Sequence, residues 1–198
     1  VVKLEDENHK DAFLTPLALT SDTTFKTWYV ELNKKKKVHR FDFKHESAKK
    51  IIEEYLQRAS GLILSVGDKL ASRLGISDED LKSKYPHLAV VKLEASKTEV
   101  QSMHDLNALA MTGVLHLYLE NETREIVDPP FLPFAGIGFG QQVATTLLSG
   151  IINSSLTGKC DIQTSYLFES IDEIYKALWP ESLRTLKKTK FLHNGAYP

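Results

Sequence analysis

Near the middle of the chain, residues 102–115 read SMHDLNALAMTGVL, with a histidine and an aspartate side by side ahead of an apolar run. His104 is a candidate general base, because imidazole is the side chain whose ordinary pKa lies nearest neutrality. Asp105 is a candidate acid, base or nucleophile. Neighbours on a helix do not face each other, so Asp105 is poorly placed to orient His104, and a base there needs a partner from elsewhere. The bland alternative is a helix cap followed by a buried helix, and on these two residues alone it is the commoner case. A second candidate is GIGFG at residues 136–140. It follows a proline-rich loop rather than a clean strand, its third glycine spacing is wrong, and no lysine completes a phosphate loop. It reads as a close backbone approach at a helix start, where free N–H groups leave room for an anion. The third is the lysine run at residues 34–37. Composition alone favours a solvated turn, but at a loop Lys34, Lys36 and Lys37 can reach a phosphate as point charges. The sequence contains no Gly-x-Ser-x-Gly elbow and no His/Cys/Asp group with metal-ligand spacing, so no metal is expected.

These residues need elements to hold them. Residues 1–5 read as a buried strand, and residues 25–32 (FKTWYVEL), rich in aromatic and β-branched types, as an extended segment. HRFDFK follows as a short alternating stretch. In residues 47–59, Ile51, Ile52, Tyr55 and Leu56 recur at helical spacing. GLILSV (61–66) and LAVVKL (88–93) have the length and composition of strands. Between them Ser77 opens a capping-box-like start to a short helix that ends before Pro86. Residues 106–117 and 141–152 read as apolar helices separated by the loop DPPFLPFAGIGFG. Residues 161–164 read as a last strand, and 166–178 as an amphipathic helix. Strand and helix alternate on a short period in the first half, and the second half is richer in helix. This predicts an α/β fold with an open, mostly parallel, doubly wound sheet and helices on both faces.

The 198 residues are 42% hydrophobic and 26% charged with a net charge of -1. That suffices for one globular core and gives no electrostatic case for nucleic acid or an anionic membrane as partner. The longest apolar run, at residues 143–152, is broken by Thr145, Thr146, Ser149 and Gly150, too short for a membrane span and suited to a core helix. One cysteine, Cys160, excludes an internal disulfide framework and fits a reducing, intracellular compartment. The glycosylation patterns at Asn121 and Asn153 then read as chance. The chain begins with a strand already under way and ends at NGAYP without a stop signal of its own. It is therefore expected to be a single domain, residues 1–198, taken from a longer protein.

In this order the pieces resemble the class III CoA-transferases (the CaiB/BaiF family), and most of all their α-methylacyl-CoA racemase branch. VVKLE resembles the family's VIKVE strand, and LNKKKKVHRFDFK its LNRGKRSVALDLK. SRLGISDEDLKSKYPHLAVVKL is similar to ERLGLGPEELRAVNPRLIYARL, and HDLNALAMTGVL to HDINYLALSGVL. PPFLPFAGIGFG, LTGKCDIQTSYLFES and FLHNGAYP follow in the family's order. The resemblance implies a Rossmann-like core that binds a coenzyme A thioester, with Lys34, Lys36, Lys37 and Arg73 as candidate phosphate contacts and no further cofactor. It also implies an extra strand and helix ahead of VVKLE and a second domain that this chain lacks. Family members pair a histidine with an aspartate for racemisation, or use the aspartate as nucleophile for acyl transfer. His104 matches the histidine. The aspartate, in the family's PPLNLVGDFGGG, falls on Gly136, and no Asp or Glu lies between Pro129 and Lys159. The arginine of the family's ENFRPG becomes Gly67, the glycine loop becomes EASKTEVQSM, and TGKGQ becomes TGKCD. The expected function is a catalytically degenerate member that serves as a binding or assembly module for a protein partner or a second copy, with residual acyl-CoA affinity. The alternative is an active racemase or transferase that uses His104 with a carboxylate relocated to Asp105, Asp161 or Glu169.

Overall fold

The computed structural model describes residues 1–9, 11, 14, 24–98, 103–115 and 133–178. The chain divides into two units, one of Val1–Arg58 with Gly67–Ser77 and one of Ala59–Val66 with Asp78–Pro198. Both are open parallel α/β arrangements.

In the first unit β1 (Val2–Asp6) pairs in parallel with β2 (Lys37–Phe41), Val2 opposite Lys37. Parallel neighbours need a crossover, and α1 (Thr24–Asn33) lies in that connection. The expected extended segment at 25–32 is therefore a helix. Its aromatic and β-branched residues favour strands locally, but Tyr29 and Asn33, four residues apart, both point inward while Val30 and Leu32 stay exposed. Tertiary contacts of Tyr29 override propensity here. Its hydroxyl donates to Glu5 Oε1 at 2.7 Å and accepts from Arg40 Nη2 at 2.6 Å. Arg40 Nε also reaches Glu5 Oε2, and Lys3 Nζ bridges Glu5 and Asp11, each at 2.7 Å. The helix α2 (Ala48–Leu56) buries Ala48, Ile52 and Leu56 at intervals of one turn, as its sequence period predicts. A short helix not among the elements expected from sequence, α3 (Asp68–Leu74), turns Ala71 and Leu74 inward and stops at Gly75, whose φ of 70° suits a glycine cap.

In the second unit β3 (Gly61–Leu64), β4 (Ala89–Glu94) and β5 (Asp161–Tyr166) form a parallel sheet in the order β3-β4-β5. The central strand is the most deeply buried, with Ala89, Val90 and Val91 all at 1% exposure. A short helix, α4 (Asp78–Lys84), packs through the fully buried Leu81. It carries acids in its first turn and Lys82 and Lys84 in its last, matching the helix dipole.

The longest helix, α6, runs over Phe134–Thr157 and ends at Gly158, φ 63°. It crosses the sheet closely enough that a Cβ on Gly150 would lie 3.1 Å from the Ala89 Cβ, and one on Gly61 3.0 Å from Leu147 Cδ1. Expected over 141–152, the helix in fact starts at Phe134, so FAGIGFG is its opening and not a loop. Three glycines hide the period from the sequence, but Ala135 is fully buried and Gly138 admits Ile171 and Ile174.

Two more helices complete the unit. α5 is Asp105–Met111 and α7 is Leu167–Leu178. Ala108, Leu109, Leu115, Ala135, Leu167 and Ile171 pack as one buried cluster joining α5, α6 and α7. The helix expected to run from 106 to 117 stops at Met111, because Gly113 takes a φ of 84°; residues 116–117 lie outside the described residues. No helix among the described residues is long and apolar enough to cross a membrane.

Candidate site at the carboxyl ends of the second sheet

Helices that run antiparallel to parallel strands bring their amino ends to the strands' carboxyl edge, where open α/β sheets take ligands. The second unit follows this rule. Past β4 the chain continues through Ala95, Ser96 and Lys97, and past β5 the first turn of α7 begins at once. Phe168 N donates to Ala95 O at 3.0 Å. Glu169 Oε1 accepts from Ser96 Oγ at 3.0 Å and from Lys97 N at 2.8 Å. Lys97 Nζ lies over the Tyr166 ring, 5.5 Å from its centroid.

His104 is the N-cap of α5 and is exposed. Its backbone N–H donates to Asn107 Oδ1 at 3.1 Å, and its carbonyl accepts from Ala108 N at 3.1 Å, so its main chain does capping work. The neighbouring Asp105 does not turn back on His104. Its Oδ1 accepts from Gly136 N at 2.6 Å. Gly136 stands in the first turn of α6, where backbone N–H groups lack intrahelical partners, and a carboxylate there is favoured by the dipole. Two of the sequence candidates are thus brought together: Asp105 of α5 caps α6 at Gly136. Gly136 is exposed, and a Cβ built on it would lie 3.5 Å from Asp105 Oδ1 and 3.9 Å from Pro133 Cβ. There is ordinary room for a side chain.

The cationic candidates belong to the first unit. Lys34, Lys36 and Lys37 are exposed, in the α1–β2 connection and at the first position of β2. Lys34 Nζ pairs with Glu31 at 2.5 Å. Lys36 N caps back to Asn33 O at 2.8 Å, and Lys37 N donates to Val1 O at 3.0 Å. Arg73, on α3, is also exposed and donates through Nη2 to Phe43 O at 3.3 Å.

Perturbed ionisation concentrates on the first unit's buried network. Burial pushes the Glu5 carboxyl up, but hydrogen bonds from Lys3, Tyr29 and Arg40 outweigh this and hold it below the ordinary range. Burial, reinforced by Glu5, raises the Tyr29 hydroxyl. The Cys160 thiol is likewise raised by burial and by Asp161, the opposite of an activated thiolate. Among the described residues no group of three or more His, Cys, Asp and Glu could hold a metal ion.

A model of CoA-transferase family III matches residues 1–188. The chain belongs to CoA-transferase family III. Solved structures agree on the fold. Rv3272 from Mycobacterium tuberculosis is 19% identical, with a TM-score of 0.73 over 89% of this chain and 49% of that one. A CAIB/BAIF family protein from Brucella suis is also 19% identical, with a TM-score of 0.63 over 82% of this chain and 41% of that one. The chain therefore spans about half the length of these structures or less. Comparison with curated proteins gives no match.

Gly136, where the sequence resemblance leads one to expect the aspartate of CoA-transferase family III, lies in the capped first turn of α6. Gly67, expected from the resemblance to replace the family's arginine, is the exposed N-cap of α3, with nothing within 4 Å of a built Cβ. Where the resemblance leads one to expect a glycine loop, Ser96 and Lys97 are tied to Glu169, and residues 99–102 lie outside the described residues. FLHNGAYP also lies outside them. Ser96 is not among the candidate residues that the sequence marks. The one signal was its place directly beyond a strand of an α/β fold, with Thr98 two residues on, whose backbone N–H bonds to Ser96 Oγ at 3.2 Å.

Proposed function

We propose that this chain is a catalytically degenerate CoA-transferase III domain that serves as a binding or assembly module, with weak acyl-CoA affinity retained. One observation carries the reading. Gly136 stands where the family's carboxylate is expected, and the carboxylate nearest to it, Asp105, is engaged by the Gly136 N–H at 2.6 Å. Glycine can neither take nor deliver a proton, nor attack an acyl group. Loss of one member of a paired acid–base set costs about 10²–10⁴ in rate. The exposed arginine and lysines remain available as phosphate contacts, which supports residual binding without turnover. Partners in this reading are an acyl-CoA and a second protein chain, in a reducing intracellular setting that leaves Cys160 free.

The test is α-proton exchange. The protein is incubated with a 2-methylacyl-CoA in heavy water, and the expected result is no deuterium uptake above buffer. Uptake with inversion at an ordinary enzymatic rate would sink the proposal.

A second reading, an active racemase or transferase, is favoured by one distance. Asp105 Oδ1 sits 3.5 Å from where a Gly136 Cβ would be, so α5 delivers a carboxylate close to the place that α6 leaves bare. The other relocated candidates are worse placed, because neither Asp161 nor Glu169 comes within 4 Å of that position. The active reading requires His104→Ala and Asp105→Asn each to abolish exchange. If turnover survives both changes, this reading fails.

A further inference from the structure

The outer face of α6 is apolar, uncharged and the same read in either direction. Leu148 and Ile152 are each 62% exposed and Leu156 is 81% exposed. They follow one another by a turn, on the side of the helix opposite the buried Val143, Gly150 and Ser154. Ser149 and Ser155, also exposed, flank this ridge. Counted from Ile152, leucine stands four residues away on both sides and serine three. No Asp, Glu, Lys, Arg or His occurs in the 24 residues of the helix. The Asp161 carboxylate, which accepts from Asn153, lies on the sheet side, 3.6 Å from where a Gly150 Cβ would be. Contiguous large apolar side chains left in water mark a contact surface.

The occupant follows from the symmetry. A two-fold axis sets the same patch of two copies face to face, so residues at equal distances on either side of the axis meet, and a charge near the axis meets its own image. With antiparallel helices and the axis at Ile152, Leu148 of one copy meets Leu156 of the other, and no charge of α6 is opposed. The flanking serines are small enough to let the helices approach to about 8–10 Å. An unrelated partner would require no such palindrome. We propose that the Leu148–Ile152–Leu156 ridge is a self-association surface, on which a second copy of this chain packs antiparallel about a two-fold axis at Ile152. The proposal rests on the assembly role given above and names its partner; the exchange assay tests catalysis separately.

Sedimentation velocity on wild type, Ile152→Glu and Ile152→Lys is the test. The ridge is narrower than a standard interface of about 800 Å² per partner, so wild type is expected to dimerise weakly, with a dissociation constant of about 10–100 μM. Either substitution sets like charges together on the axis and should weaken the dimer by about a hundred-fold or more. An equimolar mixture should dimerise again, because glutamate then meets lysine. Charged variants that still dimerise, or a mixture that stays monomeric, overturn the proposal. A wild type that is monomeric at about 1 mM also overturns it. If that monomer captures a different protein through the ridge, the assembly reading survives and the second copy does not. Should a charged variant not fold, single cysteines in a Cys160→Ser background decide. Ile152→Cys should crosslink to itself on oxidation and Leu148→Cys should not, because the two copies of residue 148 lie about 12 Å apart along the helices, beyond the roughly 7 Å that a disulfide spans between Cα atoms. Self-crosslinking at 148 and not at 152 overturns the axis.

Discussion

Gly136 and Asp105 form a pair whose energetics can be reversed by exchanging side chains. Asp105→Ala removes the acceptor from the first turn of α6 and is expected to cost about 1 kcal/mol in chemical denaturation. Asp105→Asn keeps an acceptor and gives up only the charge–dipole part, a few tenths of a kcal/mol. An acid in a first helical turn normally stabilises. At Gly136, however, its Cβ would stand 3.5 Å from a carboxylate oxygen already present. Gly136→Asp should therefore destabilise near neutral pH and recover on acidification, and in an Asp105→Asn background it should become neutral or stabilising. A Gly136→Asp chain as stable as wild type with Asp105 intact would mean that the two carboxylates do not meet. Glu5 provides the second test at this scale. Its carboxyl is held below its ordinary 4.5 in the folded chain, so its contribution is complete above that value and is lost as pH falls through the folded one. Glu5→Gln should cost about 2 kcal/mol near neutrality and flatten the acid limb of the stability curve. An unchanged acid limb would show that Lys3, Tyr29 and Arg40 do not hold the carboxylate.

At the scale of elements, α6 has two faces with different tolerances. Val143 is 3% exposed, whereas Leu148 and Ile152 are each 62% exposed. Val143→Ala should cost about 2 kcal/mol, and Leu148→Gln or Ile152→Gln within about 0.5 kcal/mol. Gly150→Leu drives a side chain against Ala89 and should cost about 1–3 kcal/mol through overpacking; a melting temperature equal to wild type would contradict the close crossing of α6 over β4. The same helix shows what the sequence could and could not display. Strands β3 and β4 were legible because unbroken apolar runs of that length suit a buried parallel sheet, and α2 because Ile52 and Leu56 recur at one-turn spacing. The first turns of α6 were not, because glycines at 136, 138 and 140 erase the period that neighbouring Ile171 and Ile174 restore only in three dimensions. The helix α1 was hidden for the converse reason: FKTWYVEL favours strand locally, and the Tyr29–Glu5–Arg40 bonds that decide the matter join residues far apart in sequence. At the candidate site, His104 and Asp105 were visible as residues, but the partnership of Asp105 with a backbone N–H on another helix was not.

At the scale of the whole chain, a net charge of -1 provides no global field to draw in an anionic ligand. Any attraction for the phosphates of CoA must therefore be local, and the exposed Lys34, Lys36, Lys37 and Arg73 are its candidate source. Contacts of that kind are screened over about 10 Å at 0.1 M salt and over about 3 Å at 1 M. Acetyl-CoA affinity should accordingly weaken several-fold as salt rises across that range. Replacing Lys34, Lys36 and Lys37 together by Gln should weaken low-salt binding and remove most of the salt dependence. The fold should be unaffected, since the one ion pair involved among the described residues, Lys34 with Glu31, is exposed on both sides and surface pairs of this sort contribute about 0–1 kcal/mol. Stability supplies the binding measurement itself, because a ligand at about 100 times its dissociation constant raises the unfolding free energy by about 2.7 kcal/mol. A wild-type thermal shift that is indifferent to salt would remove these lysines from the site, while a shift that vanishes with them would place the phosphates in the first unit.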